Sequence, residues 1–293
     1  MPEKSKERRH LFARLRNQPV NPQAEMTFID HLEELRWHII RSVLAVLVGA
    51  ILIFANASYV VDQIFMGPAH KDFITYQWLC ALGNKLGLAD VLCLTDFQIT
   101  FQSTAMTEQF LATFTIAFAG GFILAFPYVF WELWRFVKPA LHPKELKGTN
   151  GAIAWISILF FLGVAFGYFI LTPFMVNFYA NYKLSPLIEI RPTLSDYIEN
   201  LMYLTVGIGL LFQLPFVLML LTKVGILSTQ TLRNIRKYAF VVILILAAII
   251  TPSTDPFSLA LVSLPLYLLY EMSITLSVRT ERKREAAAVK EWD

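Results

Sequence analysis

Charge is what this chain has least of. Of its 293 residues only 16% are charged, against about a quarter in a typical soluble domain. The deficit is concentrated: no charge occurs from Ser42 to Phe54, Gln109 to Trp131, Asn150 to Tyr182, Leu201 to Thr222, Tyr238 to Pro252 or Pro256 to Tyr270. Uncharged apolar runs of that kind, repeated, suit bilayer spans and serve no purpose in a soluble core. A soluble enzyme, a disordered chain and a nucleic-acid binder are therefore excluded. Catalytic signatures are lacking too. There is no Gly-rich loop ending in Gly-Lys-Ser/Thr, which argues against nucleotide hydrolysis. His10, His31, His38, His70 and His142 make no His-x-x-x-His or Glu-flanked zinc pair. No Gly-x-Ser-x-Gly elbow occurs, and no two spans each hold a mid-membrane Asp. The sequence describes a membrane protein with no enzymatic role, cofactor or metal.

Cysteine is scarce as well. Cys80 and Cys93 stand thirteen positions apart in one loop. In an oxidising compartment such a pair can close a disulfide worth roughly 3 kcal/mol in the chain-entropy picture. Two free thiols fit the spacing equally, because spacing does not establish geometry.

The basic residues set a topology. Eight precede or just enter the first apolar run (Lys4 to Arg41), four lie between the second and third, four between the fourth and fifth, and five in the tail. The alternate loops hold only Lys71, Lys85, Lys183 and Arg191, so the split is 21 to 4. Lys and Arg stay on the cytoplasmic side, which predicts six spans in the inner membrane with both termini cytoplasmic. Basic residues placed this way answer to topology and anionic lipid.

The fold class expected is thus all-α and polytopic. Residues 1–36 form a cytoplasmic segment, too long and polar for a cleavable signal peptide. Residues 37–278 form a six-helix membrane domain, and residues 279–293 a charged cytoplasmic tail. The spans are expected at about 37–57, 108–131, 150–180, 197–222, 238–251 and 257–270. A long external loop covers about 58–107. Within it Phe73, Trp78, Leu79, Leu82 and Leu86 fall near helical spacing and predict a short amphipathic helix. Gly163 and Gly167 are a small-xxx-small pair, the mark of close helix packing. Spans five and six carry 14 apolar residues each, roughly 21 Å against a ~30 Å hydrocarbon core. Local thinning of the bilayer or entry of flanking polar groups would make up the difference.

Strongly polar groups deep in the spans are reduced to Gln213, beside the helix-breaking Pro215. Glutamine cannot titrate, so it is no proton carrier; it can bond a neighbouring helix or backbone freed by the proline. A secondary transporter of a small solute is the alternative reading. It wants a midplane cavity and usually a repeat, and neither is visible.

Five motifs then resemble one family in order. Met26 to Arg36 reads Met-Thr-Phe-Ile-Asp-His-Leu-Glu-Glu-Leu-Arg, with a His-Leu-x-Glu-Leu-Arg core at 31–36. Phe136-Val-Lys-Pro-Ala-Leu-His-Pro-Lys-Glu145, Phe212-Gln-Leu-Pro215, Thr251 to Ser258 and Pro265-Leu-Tyr-Leu-Leu-Tyr-Glu271 follow. Together, over about residues 26–278, they resemble TatC, the large membrane subunit of the twin-arginine protein translocase. The resemblance implies a concave, glove-like six-helix bundle that binds twin-arginine signal peptides of folded precursors. It also implies single-span partners of the TatA and TatB type, a multi-copy complex, and export driven by the proton-motive force.

By the same resemblance Glu34 and Glu145 receive the two arginines. Arginine's rigid donor fork matches carboxylates bidentately, which lysine does not reproduce. From the residues alone, Glu34 can pair with His38 one turn on, and Glu145 with Lys144 or Lys147; the family register selects binding. Arg36 closes the signature. Phe136 and Pro139 shape the loop, with Phe136 also facing the signal peptide's apolar part. Gln213, with Pro215, offers a polar contact to the peptide or a partner helix. Asp255 matches an external-turn acid that caps the sixth helix. Three departures stand out: Gln where many relatives have Glu at 213, Thr115 where a Lys is frequent, and an extended loop from about Tyr76 to Asp96.

Overall fold

The computed structural model describes residues 28–87, 93, 99–138, 151–182, 185, 187, 191–251 and 256–289. The protein is helical throughout these segments, apart from turns and one parallel bridge between Gln102 and Thr193. Helix α1 spans Phe28–Ala55, α2 Ile74–Leu86, and α3 Glu108–Val137. Helices α4 (Ala152–Phe166) and α5 (Thr172–Asn181) are joined by a π-helical turn at Gly167–Leu171. Helices α6 (Leu194–Leu211) and α7 (Leu214–Lys223) flank a break at residues 212–213. A short α8 (Thr229–Asn234) precedes α9 (Arg236–Ile250) and α10 (Pro256–Val289).

Among the described residues five stretches are long and apolar enough to cross a membrane: Leu32–Ala55, Glu108–Val137, Ile153–Asn181, Leu194–Lys223 and Leu259–Arg279. The all-α membrane fold is therefore as expected. Helix α9 remains short at 15 residues, roughly 22 Å at 1.5 Å per residue. The sixth apolar run is carried by a longer helix: α10 has 34 residues, of which Leu259–Arg279 is long and apolar enough to cross once flanking polar groups are included. Charged side chains end an apolar run but not a helix, and no Gly or Pro follows Pro265 in α10. Its first acid beyond the apolar run, Glu271, is met by Arg236 of α9 at 2.8 Å and by the Tyr267 hydroxyl at 3.2 Å.

Small residues decide how the helices meet. Helices α1 and α3 touch backbone to backbone: a Cβ on Gly121 would lie 2.4 Å from the Ala50 nitrogen. The Gly163 and Gly167 pair does the same against α6, where a Cβ on Gly167 would lie 2.5 Å from the Leu204 carbonyl oxygen. This is the close packing their spacing predicts.

Helix α2 forms where the apolar spacing indicated, and Cys80 and Cys93 are disulfide-bonded. A proline explains how α2 is held. Pro173 has no N–H, so the Phe169 carbonyl one turn earlier loses its helical donor. Thr75 of α2 supplies one, its hydroxyl donating to that carbonyl at 2.5 Å. Tyr76 beside it is fully buried and donates toward the Pro68 and Pro173 carbonyls at 2.9 and 3.2 Å. Burial pushes its phenol well above the ordinary tyrosine range.

At the same end of the bundle Glu108 opens α3 and ties it to α6. Its carboxylate accepts from the Thr104 N–H at 2.6 Å, the Ser195 N–H at 3.0 Å and the Ser103 hydroxyl at 3.2 Å. An acid at the first turn of α6 also complements the helix dipole. Glu108→Ala strips three main-chain donors, those of Thr104, Ala105 and Ser195, of a charged acceptor, each such bond being worth about 1.5–3 kcal/mol. The variant should melt several degrees lower in detergent and expose residues 99–107 to protease. Unchanged proteolysis there would count against the clamp.

Candidate functional site

The signature at the start of α1 is helical, as its Leu-Glu-Glu-Leu run and the absence of Gly or Pro from 28 to 48 favour. Helical spacing puts Glu34, His38, Arg41, Ala45 and Gly49 on one stripe. On α3 the matching stripe is Gly121, Ala125, Tyr128, Glu132 and Phe136. The small residues at one end of each stripe bring the backbones together, and the polar residues at the other end are pressed against one another.

The centre of that contact is a buried acid. Glu132 is 1% exposed and His38 5%. His38 Nδ1 lies 2.5 Å from Glu132 Oε2, and the Tyr128 hydroxyl donates to Glu132 Oε1 at 3.1 Å. The guanidinium groups of Arg41 and Arg135 each stand 3.8 Å from this carboxylate. Burying an unpaired carboxylate would cost several kcal/mol; four neighbours on two helices offset that. His38 turns its other nitrogen, Nε2, toward Glu34 Oε1 at 4.0 Å. One imidazole therefore stands between two carboxylates. Glu34 itself is open to its surroundings, its side chain 40% exposed.

Phe136 joins this group, its ring edge-on to His38 with centroids 6.2 Å apart. Arg135 lies over the Trp131 ring at 4.9 Å. Arg36 is exposed and two positions from Glu34, hence on a different side of α1. Glu145, Pro139 and Asp255 lie outside the described residues. The structure thus brings together Glu34 and Phe136, and leaves Arg36 off their shared face.

Sequence reasoning missed Glu132 and gave His38 only as a local partner of Glu34. The available signal was that Glu132 is the first charge after a long uncharged run and lies one helical turn before Phe136. At a span boundary such an acid reads as interfacial, and only the pairing of α1 with α3 shows it buried.

Away from this end, Gln213 and Pro215 mark the break between α6 and α7. The Gln213 N–H bonds the Leu210 carbonyl, a tightened turn, while its side-chain amide donates to the Gly209 carbonyl at 3.3 Å. The other side-chain atom, Oε1, is buried with no hydrogen-bond partner among the described residues. The side chain thus serves local backbone with its donor and keeps its acceptor unused.

Comparison with known proteins identifies the architecture. The family described as "Sec-independent protein translocase protein (TatC)" matches residues 30–265. The TatC protein of Blattabacterium sp. subsp. Periplaneta americana is 39% identical over 265 residues, 90% of this chain and 99% of that protein. That of Aquifex aeolicus is 31% identical, covering 89% and 98%. A crystal structure of the twin-arginine translocase receptor TatC superposes with a TM-score of 0.61 at 30% identity, over 86% of this chain and 99% of the other. A second such structure, in the detergent DDM, gives 0.64 at 31% identity, over 84% and 99%. Matched along nearly its whole membrane region in sequence and in fold, the chain belongs to the TatC family.

Proposed function

We propose that this chain is the receptor core of a twin-arginine protein translocase, and that Glu34 and Glu145 receive the paired arginines of precursor signal peptides. The exposed Glu34 carboxylate carries the reading: it sits on a helix locked to α3 by the His38–Glu132 contact. The chain leaving α3 passes from Phe136, beside His38, to Glu145 nine residues later. A guanidinium fork suits two such carboxylates better than an ammonium does. His38 and Glu132 act as positioning residues that hold the Glu34 helix, and Phe136 and Pro139 give the site its apolar side.

The distribution of Lys and Arg supports a placement in the inner membrane with both termini cytoplasmic. Six spans then follow, α9 being the short fifth. The unused Gln213 acceptor supports a polar contact with a signal peptide or with a single-span partner of the TatA or TatB type. Several copies would assemble with those partners, powered by the proton-motive force. The protein is a translocase component and not an enzyme, and its family disfavours the small-solute transporter reading.

The deciding experiment is photo-crosslinking in native membranes with a twin-arginine precursor and its Lys-Lys counterpart. Selective loss of the crosslink with Lys-Lys is expected, and equal capture of both would refute the carboxylate receptor.

A further inference from the structure

The outward flank of the α1–α3 seam opens into a groove of about 500 Å³. Ala45, Gly49 and Ala125 form its floor, Arg41 and Tyr128 close one end, and Leu52 marks the other. The groove follows from the close helix approach: small residues at the contact leave a furrow between taller side chains such as Leu44, Val48 and Leu124, all exposed. From Arg41 to Leu52 is eleven residues, roughly 16 Å along the helix, about half of a ~30 Å hydrocarbon core. That is the depth of one leaflet and the reach of one acyl chain.

The end of the groove carries positive charge. Arg41 is 47% exposed and Arg135 48%. Both stand 3.8 Å from a carboxylate whose oxygens His38 and Tyr128 already engage at shorter range. Beyond about 3.5 Å a hydrogen bond is not made, so Glu132 does not consume the donors of either guanidinium. The Arg41 guanidinium at the mouth of an apolar furrow one leaflet deep, with Arg135 beside the same Glu132 carboxylate, matches a phosphate headgroup with its chain. The two guanidinium groups repel a second basic segment, whether the arginine end of a signal peptide or another copy of this end of the chain.

We propose that the α1–α3 groove is a binding site for an anionic phospholipid of the leaflet at the basic end of the bundle. The phosphate lies at Arg41 and Arg135, and an acyl chain lies over Ala45 and Gly49. The site is separate from Glu34 and does not depend on the receptor reading.

The test uses the full chain in phosphatidylcholine vesicles holding trace photoactivatable lipid with a diazirine in its acyl chain. Phosphatidylglycerol and phosphatidylcholine probes are compared, and labelled peptides are mapped. The glycerol lipid should label residues 41–52 and 124–128 about fivefold more than the choline lipid, since a basic residue near an anionic surface contributes about 1 kcal/mol. Arg41→Gln should erase that preference. Because Arg41 also faces Glu132, a second variant is needed: Ala45→Leu, which fills the floor and keeps both charges, should cut labelling of the groove by either probe. Equal labelling by the two probes, or labelling unaffected by Ala45→Leu, would overturn the site. So would labelling of the same peptides by the apolar stretch of a precursor in place of lipid.

Discussion

A Glu34→Lys chain should enter the membrane as the unchanged chain does and capture no twin-arginine precursor. Folding has little stake in this side chain, which is substantially exposed and whose one ion-pair neighbour among the described residues, His38, stands 4.0 Å away. Binding has much at stake. A charge-assisted hydrogen bond contributes about 1.5–3 kcal/mol, and truncation alone would weaken capture about 10- to 100-fold. Reversal adds repulsion between an ammonium and an incoming guanidinium, taking crosslinking below detection. Glu145→Lys should behave alike if the two carboxylates share the work. Glu33→Lys is the control, being adjacent, equally acidic and exposed, yet turned about 100° around the helix. Export that persists in Glu34→Lys, or that fails in Glu33→Lys as well, would remove Glu34 from the receptor.

The second large effect is structural. Gly121→Leu should yield no monodisperse protein in detergent. Its first added carbon already falls 2.4 Å from the Ala50 nitrogen and 2.8 Å from the Ala50 Cα, so backbone would have to yield to side chain. Overpacking where side chains can adjust costs about 1–3 kcal/mol, and backbone against backbone has no such adjustment. The two helices must part, and the His38–Glu132 contact goes with them. The neighbouring glycine separates this from a general intolerance. The three atoms nearest a Cβ on Gly120 all belong to the Ile53 side chain, the first at 3.3 Å, and none is backbone, so Gly120→Ala should elute and melt close to the unchanged chain. Gly121→Ala should melt measurably lower. Size-exclusion profiles and thermal unfolding of the three variants decide it; a stable Gly121→Leu would mean the helices do not meet as described.

Much of this was open to reading in the chain, for identifiable reasons. Long uncharged runs mark spans because water-free surroundings admit little else. The break at Gln213 and Pro215 was legible because proline removes a main-chain donor. Helix α2 declared itself through apolar spacing. The unread parts depend on facts that local chemistry does not carry. Whether Cys80 reaches Cys93 depends on the path of the chain between them. The continuation of α10 past its apolar run was not legible because hydropathy and helix propensity are separate properties. Glu132 was invisible as a site residue because an acid at a span end is solvated or buried according to which helix lies alongside.

The contact between Gly49 and Gly121 has a mechanical consequence. Close-packed interiors transmit displacement instead of absorbing it, and here no side chain intervenes to act as a cushion. Helices α1 and α3 therefore move as a single stave, with Glu34 on one half and Phe136 on the other. At the far end of that stave Glu108 ties it to α6. The joint that can flex is then the interruption at residues 212–213, where the continuous ladder of α6 and α7 is cut.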